Sequence, residues 1–439
     1  MSALSAIAPA RQAAFAALRA VAQEQGNSDS LLYSPAVDRL SAVDRNLCTA
    51  LVLGTLRWQR VLDAECRRFL SRPDLELSED ALLALRVGTF QLLFLDRIPP
   101  HAAIFEAVEW AKQSAAGRQA GLINAVLRKV AVLPKGGEYA AESAYPEWMV
   151  KRWRSNYGAK VCRKICEEGQ REPRTALRLL APDTEDALAA TGVVMKPGEF
   201  LARARYTEAK LSADFAAAQF QDEGSQLVAE LLGTGLRILD CCAAPGGKTA
   251  ALLANNPQAH VLVCDIQPKR LAAMERRLGT PDGRLEYRVA DAARLANIGP
   301  FDRILCDVPC TGTGTLARNP EIRHRLQPRE LARQAERQRA ILAAALRLLA
   351  PGSRVLYSTC SLEPEENKQV VEACLEEVSA RNFRLLDLRE EFDRLAERGI
   401  VQGEAVSELR ATGFRGPYLR TIPGLHPCDG FFAAMIERR

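Results

Sequence analysis

The chain has 439 residues, 48% of them hydrophobic, which is enough for two or three folded domains with cores of their own. Its net charge of +5 does not by itself indicate nucleic acid, and twelve cysteines without a secretion signal favour reduced thiols in the cytoplasm over a disulfide framework. No apolar run reaches the roughly 20 residues that span a bilayer, and no cysteine or histidine group has the spacing of a zinc site, so we expect neither a membrane segment nor a metal.

The first 133 residues are predicted to form helices only. Phe15, Leu18 and Val21 share one helical face, so we interpret the N-terminus as a structural helix rather than a transit peptide, although no acidic residue precedes Glu24. Apolar residues recur three and four apart in four further segments: 47–66, 81–95, 102–113 and 121–132. The breaker-rich stretch 133–139 follows, which predicts an all-α domain over residues 1–138.

Residues 139–215 are predicted to form a small basic α+β linker domain. The run from Lys151 to Arg178 carries nine basic and three acidic residues, with Trp153 and Tyr157 inside it. Such a run suits contacts with RNA phosphates and unstacked bases, and it is also typical of a solvated helix face.

Residues 216–439 are predicted to form an α/β domain with a largely parallel sheet, because short apolar strands alternate with longer helices. Six strands are predicted: 236–240, 260–265, 285–291, 301–307, 353–360 and 431–437. Four of the first five end in aspartate, and the fifth ends at Cys360. Each aspartate alone could be a helix cap, but ligands bind beyond the carboxyl ends of parallel strands, so together they predict one binding crevice.

The segment LDCCAAPGGKTA follows the first of these strands and suits a small-molecule cofactor. It ends like a phosphate-binding P-loop, but Cys242 stands where that loop needs its first glycine, and Pro245 has no N–H to donate. A dinucleotide G-x-G-x-x-G pattern is also absent. The remaining hypothesis is S-adenosylmethionine, with Asp265 accepting from the ribose hydroxyls and Asp291 meeting the adenine amino group.

Three motifs make a resemblance specific. DCCAAPGGKT (240–249), DVPCTGTGT (307–315) and YSTCSLEPEEN (357–367), in that order, resemble the signature motifs of the RNA cytosine-5 methyltransferase family. FQDEGSQL (220–227) and HPCDGFF (426–432) also match the family pattern. The helical N-terminal domain resembles the NusB-like RNA-binding domain of the family's bacterial 16S rRNA branch, the RsmB/Sun/Fmu group. The resemblance covers essentially the whole chain and implies a Rossmann-like methyltransferase domain over residues 216–439.

The chemistry of such a reaction requires a nucleophile and a base. Carbon 5 of a pyrimidine becomes nucleophilic when a thiolate adds at carbon 6, and a base must later remove the proton at carbon 5. Cys310 and Cys360 lie at the carboxyl ends of strands expected to be neighbours, so both thiols can face one base. Their residue types and spacing do not assign the two roles, because the Pro-Cys dipeptide at Cys310 is also the nucleophile pattern of DNA cytosine-5 methyltransferases. The other cysteines within strands or helices are expected to be core residues: Cys48, Cys66, Cys162, Cys166, Cys264, Cys306 and Cys374.

The family resemblance assigns roles that spacing leaves open. It implies that Cys360 is the nucleophile, that Cys310 assists breakdown of the covalent intermediate, and that Asp307 contacts the target base and borders the cofactor. The residues expected to bind S-adenosylmethionine are Cys242, Ala243, Ala244, Pro245, Gly246, Gly247, Lys248, Asp265, Asp291 and Asp307. Lys248 could order this loop, contact the cofactor or lie in solvent, and Arg318 could hold an RNA phosphate or be an ordinary surface arginine.

The resemblance implies methylation of carbon 5 of a cytosine in 16S rRNA, at a loop or unstacked region, by a protein expected to be a cytoplasmic monomer. Two other hypotheses remain open. One is an RNA-binding assembly or antitermination factor that keeps the fold without catalysis, although such a protein needs neither Cys310 nor Cys360. The other is specificity for tRNA, which only the NusB-like domain disfavours, and by analogy alone.

Overall fold

The structure is a computed structural model that describes residues 7–72, 74–181, 184–208, 218–378 and 382–439. These residues form two compact units. The first comprises the chain up to Glu172 together with Leu316–Arg325, and the second comprises Pro173–Thr315 together with Leu326–Arg439. Within the described ranges, no helix is long and apolar enough to cross a membrane.

Helices build the first unit, as the apolar periodicity predicts. Its long helices begin at well-defined caps: the hydroxyls of Ser41 and Ser78 accept from the backbone N–H groups of Asp44 and Ala81, which would otherwise lack partners. The apolar faces of these helices enclose one core. The helices are α1 (Pro9–Ala22), α2 (Ser28–Leu32), α3 (Pro35–Asp38), α4 (Ala42–Arg67), α5 (Glu79–Phe94), α6 (Pro100–Lys112), α7 (Ala120–Val130), α8 (Glu147–Tyr157) and α9 (Ala159–Glu168).

The second unit begins with a small antiparallel sheet. Its elements are β1 (Thr175–Leu179), α10 (Thr184–Ala189), β2 (Lys196–Pro197), β3 (Ala204–Thr207) and β4 (Ala218–Phe220), and the strand order is β2-β3-β1-β4. Arg178 of β1 is fully buried and forms an ion pair with Glu230 at 2.6 Å. This pair ties the small sheet to the helix that precedes the large sheet.

A nine-stranded sheet forms the centre of the second unit, in the order β11-β12-β13-β9-β8-β5-β6-β7, with β10 paired to β13. The strands from β5 to β9 are parallel, and β13 is antiparallel to β9. Its elements are α11 (Glu223–Leu231), β5 (Arg237–Asp240), α12 (Gly247–Asn255), β6 (His260–Asp265), α13 (Pro268–Leu278), β7 (Leu285–Val289), β8 (Phe301–Asp307), α14 (Ile322–Arg325, part of the first unit), α15 (Pro328–Arg347), β9 (Leu349–Thr359), α16 (Lys368–Glu377), β10 (Phe383–Leu386), α17 (Leu388–Glu397), α18 (Val406–Thr412), β11 (Phe414–Arg415), β12 (Tyr418–Arg420) and β13 (Phe432–Arg438).

Two apolar cores cover the faces of this sheet. Alternate strand residues belong to different cores: Ile238 and Leu305 pack with α11, α13 and α17, whereas Leu239 and Ile304 pack with α15 and α16. The predicted architecture is therefore confirmed: a helical N-terminal part and a Rossmann-like α/β part. In the strand order, β6 and β7 lie on one side of β5, and β8 and β9 lie on the other. Parallel sheets bind ligands at this switch point, beyond the carboxyl ends of β5 and β8.

The predicted domain boundaries do not coincide with the division between the two units. That division falls at Glu172, inside the predicted linker domain of residues 139–215. Buried Arg323 explains the difference on the N-terminal side, because its guanidinium donates to the carbonyls of Arg57 in α4 and Gly169 just after α9, and so joins residues 139–172 to the helical bundle. The predicted boundary at 215/216 lies outside the described residues.

Residues 316–325 form an insertion from the second half of the sequence into the helical unit. Arg323 is fully buried, and its guanidinium donates to the backbone carbonyls of Arg57 (3.2 Å) and Gly169 (3.0 Å). The guanidinium also lies 4.1 Å above the ring of Tyr145. Carbonyl acceptors and an aromatic face compensate for the loss of water around this cation.

His324 of the same insertion should make the stability of the helical unit depend on pH. Burial lowers its pKa from 6.5 to about 3, and its Nε2–H donates to the carbonyl of Leu56 at 2.7 Å. Below pH 6.5 the unfolded chain binds a proton that the folded unit refuses, so stability falls by about 1.4 kcal/mol per pH unit. We expect acidification from pH 7.5 to 5.0 to cost about 2 kcal/mol through this group.

Urea unfolding followed by tryptophan fluorescence measures this effect, because all four tryptophans lie in the helical unit. His324→Gln keeps an N–H donor but cannot titrate, so it should lose this part of the pH dependence. His101→Gln, at an exposed position of the same unit, is the matched control and should behave like the wild type. Equal pH dependence in wild type and His324→Gln would refute the assignment.

Candidate active site

The loop between β5 and α12 is held from several sides. Asp240 at the end of β5 is buried, which raises its pKa to about 7, and it accepts from the hydroxyl of Thr249 at 2.7 Å. The backbone N–H of Ala243 donates to the carbonyl of Cys264 on the next strand, at 2.9 Å. Gly246 then caps α12 with a positive φ of 97°. Six loop residues predicted to bind a cofactor therefore lie at the carboxyl edge of the sheet: Cys242, Ala243, Ala244, Pro245, Gly246 and Gly247.

Gly246 lets the loop pack closely against α13. A Cβ on Gly246 would lie 2.8 Å from Cγ of Met274, so only glycine suits both the space and the left-handed backbone. Two arginines of α13 also fasten the loop, since Arg270 donates to the carbonyl of Ala244 at 2.5 Å and Arg277 donates to that of Pro245. The sequence analysis did not identify these two arginines, because nothing in the spacing of α13 shows where its long side chains end.

The two carboxylates predicted to recognise the nucleoside differ in their surroundings. Asp265 ends β6, and its oxygens accept from the N–H groups of Gln267 (2.8 Å) and Ala244 (3.3 Å), so it lies against the cofactor loop. Ile266, the next residue, is 49% exposed and presents an apolar surface beside it. Asp291 lies two residues beyond β7 and caps a short 3-10 turn by accepting from the N–H of Ala293 at 3.1 Å, which is the ordinary role considered for such an aspartate.

Asp307, at the end of β8, lies at the centre of a charged network. Lys248 donates to one of its oxygens and the hydroxyl of Ser358 to the other, both at 2.7 Å. Burial opposes the charge of Lys248, but the Asp307 carboxylate outweighs it, so the pKa of Lys248 is raised above its ordinary value. The alternative that Lys248 lies in solvent is wrong, because this contact and the ring of Phe431, 5.1 Å away, hold its ammonium group inside the site.

The two cysteines of interest lie beside this network. Cys310 follows β8 and Cys360 follows β9, and their sulfur atoms are 3.3 Å apart. Neighbouring parallel strands explain the proximity, since Asp307 pairs with Ser358 at the ends of β8 and β9. The pKa of Cys310 is raised well above its ordinary value, most strongly by the hydrogen bond with Cys360 and next by burial of the thiol. Both side chains remain partly exposed.

The remaining cysteines that were expected to be structural are buried: Cys48, Cys66, Cys162, Cys166, Cys264, Cys306 and Cys374. Cys306 contacts Cys241 at an Sγ–Sγ distance of 3.7 Å inside the sheet. In the described residues, no group of three or more histidine, cysteine or acidic side chains is arranged to hold a metal ion.

Two further motifs converge on the same region. Asp222 of FQDEGSQL accepts from the N–H of Asp429 of HPCDGFF at 3.2 Å. Gly430, the next residue, donates its N–H to the carbonyl of Gly314 at 2.8 Å, and Gly314 donates its own N–H to the carbonyl of Cys360 at 2.9 Å. The backbone therefore links the turn after Cys310 to both the Cys360 loop and the C-terminal motif.

One of the two aromatic residues of the basic run, Trp153, is fully buried, so it is not available for stacking on a base. Arg178 is also buried and forms an ion pair with Glu230, so it does not face an RNA phosphate. Several other basic residues of the run pair with carboxylates, among them Lys151 with Glu147 at 2.7 Å. Arg318 lies half-buried in the insertion that belongs to the helical unit.

Comparisons with known proteins agree along the whole chain. The model of 16S rRNA methyltransferase RsmB/F matches residues 232–437, and the NusB family model matches residues 8–132. The chain is 33% identical to a probable ribosomal RNA small subunit methyltransferase B of Bacillus subtilis, over 84% of this chain and 88% of that protein. It is 31% identical to ribosomal RNA small subunit methyltransferase B of Klebsiella pneumoniae, over 95% of each chain.

Solved structures support the fold. The crystal structure of PH0851 covers 99% of both chains with a TM-score of 0.77 at 22% identity. The crystal structure of NSun6 from Pyrococcus horikoshii with SFG covers 67% of this chain and 98% of its own, with a TM-score of 0.53 at 18% identity.

Gly314 should tolerate no side chain. A Cβ there would lie 2.2 Å from the carbonyl oxygen of Gly430, a backbone atom that cannot move aside alone. We expect Gly314→Ala to destabilise the second unit by about 1–3 kcal/mol, which is the usual cost of overpacking. Differential scanning calorimetry measures this change. Gly121→Ala, in α7 with no atom within 4 Å of the added Cβ, is the control and should not destabilise the protein. An unchanged transition in Gly314→Ala would contradict the close contact.

Proposed function

Because the chain belongs to the RsmB/F family of 16S rRNA methyltransferases, which use S-adenosylmethionine as methyl donor, we propose that it methylates carbon 5 of a cytosine through a covalent bond between Cys360 and carbon 6. The observation that carries this proposal is the pair of partly exposed thiols of Cys310 and Cys360, 3.3 Å apart beside Asp307. A methyltransferase acting on a nitrogen or a hydroxyl has no need for two thiols in this place.

The first task is to make carbon 5 nucleophilic. The Cys360 sulfur, as thiolate, adds to carbon 6, and the electron pair of the 5,6 double bond becomes available at carbon 5. Carbon 5 then accepts the methyl group that S-adenosylmethionine supplies from its sulfonium centre. Cys310 keeps its own proton at this stage, since its pKa is raised by the neighbouring Cys360.

The second task is to release the product. The largest cause that raises the pKa of Cys310 is its hydrogen bond with Cys360, and this cause disappears once the Cys360 sulfur is bonded to the base. Cys310 can then lose its proton and act as the base for the proton at carbon 5. As that proton leaves, the double bond forms again and the bond between carbon 6 and Cys360 breaks.

Asp307 and Lys248 hold the base and the cofactor in this scheme. Lys248 and Ser358 each donate to one oxygen of Asp307 and fix its orientation, while each oxygen keeps a lone pair that can accept from the amino group of cytosine. The loop from Cys242 to Gly247, with Asp265 and Asp291, holds S-adenosylmethionine. The position of this loop at the carboxyl edge of the sheet and the exposed apolar face of Ile266 support this assignment.

The substrate must present an unstacked cytosine, because carbons 5 and 6 are inaccessible inside a base stack. This requirement favours a loop or an unpaired region of 16S rRNA. The NusB part of the chain is proposed to contribute RNA contacts, and a monomer is the proposed oligomeric state. Of the alternatives, a non-catalytic RNA-binding factor fails to account for the cysteine pair, and a tRNA substrate has no support in the relatives named above.

Removing one cysteine at a time separates the two roles. Cys310→Ala, incubated with S-adenosylmethionine and 16S rRNA, should accumulate a protein–RNA adduct that survives a denaturing gel, because the intermediate forms but does not break down. Cys360→Ala and the double variant should form none. Cys374→Ala, which removes a buried thiol of α16, should turn over without an adduct.

The opposite pattern, an adduct in Cys360→Ala that needs Cys310, would exchange the two roles. No adduct in any variant, together with active wild type, would refute covalent catalysis. Nucleoside analysis of RNA methylated by the wild type should give 5-methylcytidine, and any other methylated nucleoside would refute the proposed position.

A further inference from the structure

We propose that Glu366 is a positioning residue that sets the separation of the Cys310 and Cys360 thiols. The inference rests on the proposed function, in which the two thiols act in turn on one base. Glu366 belongs to the EPEEN part of the third motif, to which the sequence analysis assigned no role.

The carboxylate of Glu366 is fully buried and receives four hydrogen bonds. Oε1 accepts from the backbone N–H of Thr311 and from the side-chain amide of Gln338, both at 2.9 Å. Oε2 accepts from the hydroxyl of Thr311 at 2.5 Å and from the hydroxyl of Ser361. All four donors are neutral, so the Glu366 carboxylate organises hydrogen-bond donors and does not neutralise a cation.

Two of these partners identify what the carboxylate holds. Thr311 directly follows Cys310, and Ser361 directly follows Cys360. Their hydroxyls also contact each other at 3.2 Å, which closes a triangle with Glu366. One buried carboxylate thus holds the residue that directly follows each cysteine, Thr311 through its backbone N–H and hydroxyl and Ser361 through its hydroxyl, and with them the distance between the sulfur atoms.

Side chains next to Glu366 also form hydrogen bonds to the residues that precede the two cysteines, Pro309 and Thr359. Gln338 of α15 donates both to Glu366 and to the carbonyl of Pro309, at 3.0 Å. Asn367 accepts from the hydroxyl of Thr359 and donates to the carbonyl of Ser361 at 2.8 Å. The residues on both sides of Cys310 are therefore held, by Gln338 before it and by Glu366 after it. The residues on both sides of Cys360 are held in the same way, by Asn367 and Glu366.

The substitution Glu366→Gln tests the role with little change in shape. An amide has one oxygen instead of two, so at least one pair of donors loses its acceptor and faces an N–H group instead. Small displacements of reacting atoms cost large factors in rate. We expect Glu366→Gln to lower kcat roughly 10–100-fold, with little change in KM for S-adenosylmethionine.

Oxidative crosslinking measures the thiol separation without any methylation. Diamide, a dialkyl azodicarboxamide, oxidises two neighbouring thiols to a disulfide; both protons and both electrons pass to its N=N bond, which becomes a hydrazine. Mass spectrometry of peptides then gives the rate at which Cys310 and Cys360 join. We expect this rate to fall at least about tenfold in Glu366→Gln, in parallel with kcat.

Glu372→Gln, on the exposed side of α16 and paired with Lys368, is the matched control and should crosslink and turn over like the wild type. Ser361→Ala removes one donor from the cluster and provides the same test if Glu366→Gln does not fold; it should slow crosslinking in the same direction.

A wild-type crosslinking rate in a folded Glu366→Gln would overturn the proposal, even if methylation were lost, because the residue would then act by other means. A failure of the covalent mechanism gives a different result. In that case Cys310→Ala forms no adduct, while diamide crosslinking of the wild type still depends on Glu366.

Discussion

The parallel pairing of β8 with β9 is the constraint on which the site depends. It sets Asp307 opposite Ser358, and the two side chains bond to each other across the strand ends. Since both strands end at one edge of the sheet, the turns that follow them bring together two cysteines that are 50 residues apart in the sequence. A slip of one residue would turn every side chain of β9 to the other face of the sheet and separate the pair, so the two apolar cores that fix the register also fix the chemistry.

Around the thiols, two buried carboxylates and the half-buried Asp307 hold the loops in place, while the side chains of Cys310 and Cys360 stay partly exposed. Asp240 is bonded to Thr249, Asp307 to Lys248, and Glu366 to the turns after both cysteines. Inside a protein such hydrogen bonds are stronger than in water, so they restrict the loop backbone beyond the ends of the strands. Loops held in this way and accessible thiols are what the proposed covalent mechanism on an unstacked base requires.

The insertion of residues 316–325 belongs to the helical unit although it comes from the second half of the sequence. Buried Arg323 and neutral His324 fasten it there through backbone carbonyls. In sequence, LARNPEIRHR has the composition of a solvated basic loop, and Arg318 was accordingly considered as a phosphate ligand. In the structure, the side chains of Arg323, His324 and Arg325 bond to backbone carbonyls, a pairing that no charge pattern indicates because carbonyl acceptors are not visible in sequence.

The sequence alone determined the helical N-terminal part, the order of α/β elements, the loop predicted to bind the cofactor and the two cysteines, because apolar periodicity and local motifs are properties of neighbouring residues. The boundaries of the units, the burial of Trp153, the contact of Lys248 with Asp307, and the roles of Arg270, Arg277 and Glu366 were decided only by the tertiary structure. Each of these depends on where a long side chain ends or on which backbone it meets, and such contacts join residues 20 to 150 positions apart. Whether an arginine, a tryptophan or a glutamate faces solvent or interior is likewise settled by packing, since the same residue types serve both purposes.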